Sequence, residues 1–379
     1  MRRLRRIVFW MHLTAGVTAG VVIFIMSATG ALLALQPQIL NVLERDVRYV
    51  EPAGGDRLGA QAIIERASAA RDGARPTSVT FDSDPRASAL VAFAPSGNIY
   101  VNPYTGTILG EGSAAARAFF RTLTDWHRWL GRTGENRATT KAITGAANLA
   151  FLGLAMSGLC LWWPRQWTLA RVRAVTVIDA RLAGKARDFN WHNAIGFWSA
   201  PVLIVLTLTG VVISYPWASN LVYRMTGSPL PNQGGPRAEG TADSGKPADL
   251  DLLVARATEV MPTWGVMTLR FPARANGPVS VTMSDAGYWN PFARSQLTLD
   301  AWTADMVRWE PYADMSRGQK LRGWMRFAHT GELGGLAGQI VAGLACVGGT
   351  FLVWTGLALA LRRFLGWRST DVRERARAA

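Results

Sequence analysis

Imidazole is the side chain here best suited to chemistry near neutral pH, and the chain has four: His12, His127, His192 and His329. Neutral imidazole binds transition metals and moves protons, and its surroundings decide which. Little else competes. The two cysteines, Cys160 and Cys346, lie inside apolar stretches and read as core residues, so no extracytoplasmic disulfide framework is available. No C-x-x-C-H run occurs, which excludes the usual covalent attachment of c-type haem. No G-x-G-x-x-G follows a strand and no P-loop is present, so there is no evident nucleotide site. Ser-His-Asp and Cys-His catalysis find no support, because each histidine stands at the end of an apolar stretch.

Those stretches are the elements that must position the rings. About 20 apolar residues cross the hydrocarbon of a bilayer, and four segments qualify. They divide the chain into span one (1–36), a long connection (37–141), span two (142–164), a short loop (165–190), span three (191–215), a second long connection (216–334), span four (335–361) and a tail (362–379). The first span follows Met-Arg-Arg-Leu-Arg-Arg as a signal peptide would, but it is about twice the length of a signal core and lacks a convincing small-residue cleavage site, so it reads as retained. The formal charge of +15 comes from arginines beside these stretches, which anchors a membrane protein rather than marking a nucleic-acid binder. Sixteen tryptophans suit aromatic belts at the lipid–water boundary.

Orientation follows from the basic residues. Arg2, Arg3, Arg5 and Arg6 precede span one; Arg165, Arg171, Arg173, Arg181, Lys185 and Arg187 lie between spans two and three; Arg362, Arg363, Arg368, Arg373, Arg375 and Arg377 follow span four. All three segments fall on one side. The expectation is a multi-pass protein of a bacterial inner membrane, with both termini cytoplasmic and both long connections outside.

The chain also repeats itself. In the first connection an amphipathic helix at 59–71 precedes short β-like runs at 77–81, 89–94 and 98–101, closed by Tyr104-Thr105-Gly106. In the second, a helix at 250–260 precedes runs at 265–271, 279–283 and 296–299. Each is a small α+β module of about 60 residues ending in an interfacial helix. The linker at 227–246, rich in Gly, Pro, Asn and Asp, is expected to be mobile. The spans match better. His12 is followed at +4 by Gly16 and at +18 by Gly30, and His192 is followed at the same offsets by Gly196 and Gly210, with Thr29 and Thr209 preceding the distal glycines. The fold class is therefore an α-helical membrane protein of four transmembrane helices in two internal repeats, with small α+β extracytoplasmic modules.

In this topology His12 and His192 share the cytoplasmic face, while His127 and His329 share the outer face. Each pair draws one member from each repeat, and no histidine is left over. Bis-imidazole ligation of haem iron needs two neutral histidines from different helices facing across a porphyrin. An offset of +4 or +18 returns to the histidine's own helix face, about 27 Å further along for the latter at 1.5 Å per residue. Gly16, Gly30, Gly196 and Gly210 thus bare that face near both predicted sites, and Trp191 stands beside one of them. Plainer readings compete. A histidine at a span end is often an interfacial polar residue, Gly16-Val-Thr-Ala-Gly20 is also a helix-packing motif, and Trp10, Trp126 and Trp191 also read as belt residues. A bare transition metal on two imidazoles is the rival site, although no carboxylate or thiolate cluster completes its shell.

On these residues the chain resembles the PepSY-associated transmembrane proteins, often called iron-regulated membrane proteins. The resemblance spans nearly the whole chain. It is carried by Val8-Phe9-Trp10-Met11-His12-Leu13, Ser27-Ala28-Thr29-Gly30, Trp191-His192-Asn193 and the module end Tyr100-Val101-Asn102-Pro103-Tyr104-Thr105-Gly106. It implies two extracytoplasmic PepSY modules, the second departing from the pattern around 289–294. Some members are ferric-siderophore reductases with two haems. The resemblance implies that activity here, with two b-type haems whose iron is ligated by His12, His192, His127 and His329.

Reduction of Fe(III) weakens its complexes with hard oxygen donors, so one electron releases iron from a ferric siderophore or other ferric chelate. The donor is expected to be external, a quinol or a cytoplasmic reductase docking on the basic face. Electrons would enter at His12–His192 and leave from His127–His329. There Arg128, Arg322 and Arg326 are candidates for pairing with haem propionates or an anionic substrate. The bilayer is the other partner, a homodimer is admissible, and no nucleic acid is expected. Two other classes stay open. A PepSY-based binding or regulatory protein that modulates a peptidase predicts no visible spectrum. A metal transporter fits the repeat but finds almost no ionisable residue at mid-membrane depth.

Overall fold

The computed structural model describes residues 2–94, 97–163, 167–230, 248–272 and 277–378, with side chains described from 3 to 367. Arg165 and residues 231–247, which hold most of the linker expected to be mobile, lie outside the described residues. In chain order the elements are α1 (Arg2–Leu33), α2 (Gln36–Leu43), α3 (Arg45–Arg48), α4 (Ala60–Ala69), β1 (Ser78–Asp82), β2 (Ala89–Phe93), β3 (Gly97–Val101), β4 (Ile108–Gly110), α5 (Ala114–Trp129), α6 (Asn136–Trp162), α7 (Leu169–Thr176), α8 (Gly184–Ser214), α9 (Pro216–Met225), α10 (Leu250–Val260), β5 (Trp264–Arg270), β6 (Val279–Asp285), β7 (Ser295–Leu299), β8 (Met306–Glu310), α11 (Arg317–His329) and α12 (Gly335–Ala378). They divide into two units, Met1–Gln36 with Ala118–Met225 and Leu321–Ala379, and Pro37–Arg117 with Thr226–Lys320.

The first unit is helical. Four helices are long and apolar enough to cross a membrane: Arg3–Leu33, Asn136–Trp162, Gly184–Ser214 and Glu332–Trp367. Hydropathy located their apolar parts but not their ends. Asn136–Lys141 and Gly184–Asn190 are polar yet helical, and α12 runs on past 361. α1 packs on α12, α12 on α8, α8 on α6, and α6 back on α1, which closes a ring of four. Small residues permit close approach: a Cβ at Gly349 would lie 3.0 Å from Ser27 Oγ, and one at Gly348 would lie 3.0 Å from Ser199 Cβ. Threonines within the apolar segments turn their protons back on their own helix, as Thr207 Oγ1 does to the Leu203 carbonyl at 2.6 Å.

The second unit is one antiparallel sheet of eight strands, in the order β4-β3-β2-β1-β5-β6-β7-β8. Where the sequence reads as a small α+β module in each long connection, the strands of both connections join in one sheet. β1 and β5, from the two long connections, pair at its centre, with Val79 opposite Leu269 and Thr80 opposite Thr268, whose hydroxyls lie 2.9 Å apart. Strand alternation points Val79, Val91, Leu269, Val281 and Leu297 to one face, where they form a single core with Ile63 and Ala67 of α4 and Leu253 and Ala257 of α10. The expected helices and three strands of each half are present, and β4 and β8 extend each by one edge strand. The sheet unit also buries one acid. The Glu44 side chain is 0% exposed and receives Arg117 Nε at 2.5 Å, Arg117 Nη2 at 2.6 Å, Arg48 Nη2 at 2.8 Å, the Tyr100 hydroxyl at 3.1 Å and the Ser113 N–H at 3.2 Å.

Candidate paired-histidine centres

All four histidines belong to the helical unit and meet in the two pairs the topology suggested. His12 of α1 and His192 of α8 have ring centres 6.3 Å apart with planes at 86°. His127, near the end of α5, and His329, the last residue of α11, have ring centres 6.4 Å apart with planes at 57°. All four rings are half-buried.

Each ring rests on a second helix through a hydroxyl residue followed by glycine. His12 Nδ1 lies 2.8 Å from Ser157 Oγ of α6, and His192 Nδ1 lies 2.9 Å from Thr355 Oγ1 of α12. His127 Nδ1 lies 3.1 Å from Thr29 Oγ1 of α1 and 3.0 Å from the Met26 carbonyl. His329 Nδ1 lies 3.2 Å from Thr209 Oγ1 of α8 and 2.8 Å from the Leu206 carbonyl. The following glycine touches the same ring. Built Cβ atoms at Gly158, Gly356, Gly30 and Gly210 would lie 3.6, 3.3, 3.3 and 3.2 Å from Cε1 of His12, His192, His127 and His329 respectively.

Gly30 and Gly210 therefore border the distal rings, as the +18 offset predicts. Gly16 and Gly196 do not touch a ring; their nearest neighbours are Leu154 Cδ2 at 3.8 Å and Leu352 Cδ2 at 3.5 Å. The Trp191 indole nitrogen is buried without a hydrogen-bond partner among the described residues, and Arg187 lies over its ring at 5.6 Å. Arg128 lies over Trp129 at 4.4 Å, where Arg137 covers the same ring at 4.3 Å, and Arg326 lies over Phe327 at 5.9 Å. Such cation–π contacts occupy one face of a guanidinium and leave its edge free. Sequence reasoning missed Ser157-Gly158 and Thr355-Gly356. Their signal is the hydroxyl–glycine step already read in Thr29-Gly30 and Thr209-Gly210.

The donor set suits a metal whose remaining ligands come from elsewhere. A protein-only zinc site gathers about four donors, whereas among the described residues no three of His, Cys, Asp and Glu come together. Metal–imidazole bonds of about 2.0–2.1 Å, with about 1.1 Å from nitrogen to ring centre, place two opposed imidazoles on one metal with centres about 6.3 Å apart. Both pairs have that spacing. The side-chain and carbonyl contacts described for the rings run through Nδ1, so Nε2 is the nitrogen open to a metal, were one bound. The spacing and the donor type would suit two metal-bearing groups, each held by one imidazole pair.

Fold and site define a membrane protein with four helices long and apolar enough to span, an antiparallel sheet unit and a half-buried histidine pair toward each end of the helical bundle. The chain belongs to the PepSY-associated TM region family, whose model matches residues 9–363. Among curated proteins, none matches the sequence.

Proposed function

We propose that the chain is a transmembrane electron carrier that holds two b-type haems and reduces a ferric siderophore or other ferric chelate outside the cytoplasm. The observation that carries this reading is the ring spacing of 6.3 and 6.4 Å in two separate pairs that use all four histidines. Haem, when bound, supplies a one-electron ferric–ferrous couple at each end. His12 and His192 hold the group on the side of the arginine-rich termini, and His127 and His329 hold its counterpart toward the long connections. The two αββββ segments are read as PepSY modules arising, with their spans, from one duplication, and both lie outside the inner membrane. Electrons from a quinol or a cytoplasmic reductase enter at the first pair and leave from the second. Arg128, Arg322 and Arg326 supply positive charge near the exit, where a ferric complex accepts one electron and its hard-donor ligands release Fe(II).

Purified full-length protein tests this directly. Its dithionite-reduced minus oxidised spectrum should show the α band of bis-histidine b haem, and anaerobic addition of a ferric siderophore should abolish that band as Fe(II) appears. A preparation with no visible absorbance, even after haemin is supplied, would refute the reading.

A further inference from the structure

We infer that the four hydroxyl–glycine steps, Thr29-Gly30, Ser157-Gly158, Thr209-Gly210 and Thr355-Gly356, are the positioning elements of the two centres, and that Ser157 is the one on which its centre depends most. The inference rests on the histidines being haem ligands, as proposed above, and it assigns what sets their tautomer and electron density.

A hydroxyl has one proton to give, and each of these four gives it to its own helix. Thr29 Oγ1 donates to the Ile25 carbonyl at 2.7 Å, Thr209 Oγ1 to Val205 at 2.7 Å, Thr355 Oγ1 to Phe351 at 2.8 Å, and Ser157 Oγ to Leu154 at 3.2 Å. With that proton committed, the oxygen can only accept from the ring, so Nδ1 carries the hydrogen in all four histidines. The Met26 and Leu206 carbonyls, which have no proton to give, require the same sign at His127 and His329. A protonated Nδ1 leaves the Nε2 lone pair for iron. Donation from Nδ1 also makes Nε2 more basic, which stabilises the ferric state.

The four steps differ in redundancy. The rings of His127 and His329 each have a hydroxyl and a carbonyl acceptor. His12 has Ser157 Oγ as its one hydrogen-bond partner among the described residues. Serine is also the weaker holder. Without the β-methyl of threonine its χ1 is less restricted, and its back-bond runs three residues rather than four, at the longest of the four distances.

Apo protein prepared under haem limitation, with the full chain in detergent, is titrated with haemin, and the loaded protein is then titrated potentiometrically. In Ser157→Ala the affinity of one of two sites should fall about 10- to 100-fold, the range typical for losing such an outer partner. The midpoint potential of that haem should rise, and the other site should be untouched. Ser157→Thr should restore both values, whereas Thr209→Val, whose His329 keeps the Leu206 carbonyl, should lose less than Ser157→Ala. Unchanged affinity and potential in Ser157→Ala, in a protein whose wild type takes up two haemins, would overturn this inference alone. A wild type that takes up none would overturn the reading of the histidines and this inference with it.

Discussion

Gly210 has no room for a methyl group. A Cβ there would lie 2.9 Å from Asn148 Nδ2 and 3.2 Å from His329 Cε1, and Asn148 is buried and committed to the Thr207 carbonyl at 2.9 Å. Gly210→Ala must displace one of them, and overpacking of this kind typically costs about 1–3 kcal/mol. The expected result is loss of the haem proposed for His127 and His329 with retention of the other, read from haem content per chain. Gly153→Ala, where a built Cβ meets nothing within 4 Å among the described residues, should change neither. Glu44 makes a second prediction at this scale. Burial alone would push its carboxyl up, but hydrogen bonds from Arg117 and Arg48, the Arg117 charge and the Tyr100 hydroxyl outweigh it and hold the group below its ordinary value of 4.5. A depressed folded value means stability that is fully present above pH 4.5 and is lost as pH falls from there through the folded value. Glu44→Ala strands two guanidinium groups and should cost about 3 kcal/mol near neutral pH. Urea titrations in detergent should find the gap between wild type and variant narrowing on acidification; a gap independent of pH would contradict the assignment. The histidine pairs were legible in the sequence because there are four histidines, one at an end of each apolar stretch, but Ser157 and Thr355 were not. They follow His127 and His329 by 30 and 26 residues, unequal offsets that hide the correspondence the equal +18 offsets reveal. The same dipeptide also occurs at Thr144-Gly145, where glycine faces Tyr215 instead of an imidazole.

At the scale of elements, the helices were legible from apolar length, and the inner strands from alternation, as in Ala89–Phe93 with its buried first, third and fifth residues. The edge strands were not. β4 is three residues long, and β8 exposes Met306, Val307 and Arg308, so neither shows the alternation that marks a half-buried strand. The joining of both halves in one sheet was also illegible, because β1 and β5 are far apart in sequence and nothing in either strand names its partner. That seam makes a prediction. Leu269 is 0% exposed, pairs with Val79 and belongs to the core that α4 and α10 share. Leu269→Ala should cost about 2–5 kcal/mol, and because the core is common, hydrogen exchange should accelerate in β1–β3 as well as β5–β7. Acceleration confined to the second half would mean that the halves fold independently.

At the scale of the molecule, the chain carries cationic clusters at both termini and in the loop between α6 and α8, so the proposed orientation is open to labelling. In a Cys160→Ser, Cys346→Ala background, a cysteine at exposed Glu51 should react with a membrane-impermeant maleimide in intact spheroplasts. One at Arg181, whose side chain is 90% exposed, should react only after permeabilisation. The reverse pattern would invert the direction proposed for electron flow. About 27 Å of α1, at 1.5 Å per residue, separates His12 from Gly30, which abuts His127, so one helix touches both pairs. The measurement that bears most directly on the claim that these pairs hold haem is haem content per chain, determined as pyridine haemochrome, in the wild type and in single and double histidine variants. The wild type should carry two haems. His12→Ala, His192→Ala and the variant lacking both should each retain the same single haem, and His127→Ala, His329→Ala and their double variant should retain the other. A colourless wild type, or losses that couple His12 with His127 or His329, would contradict it.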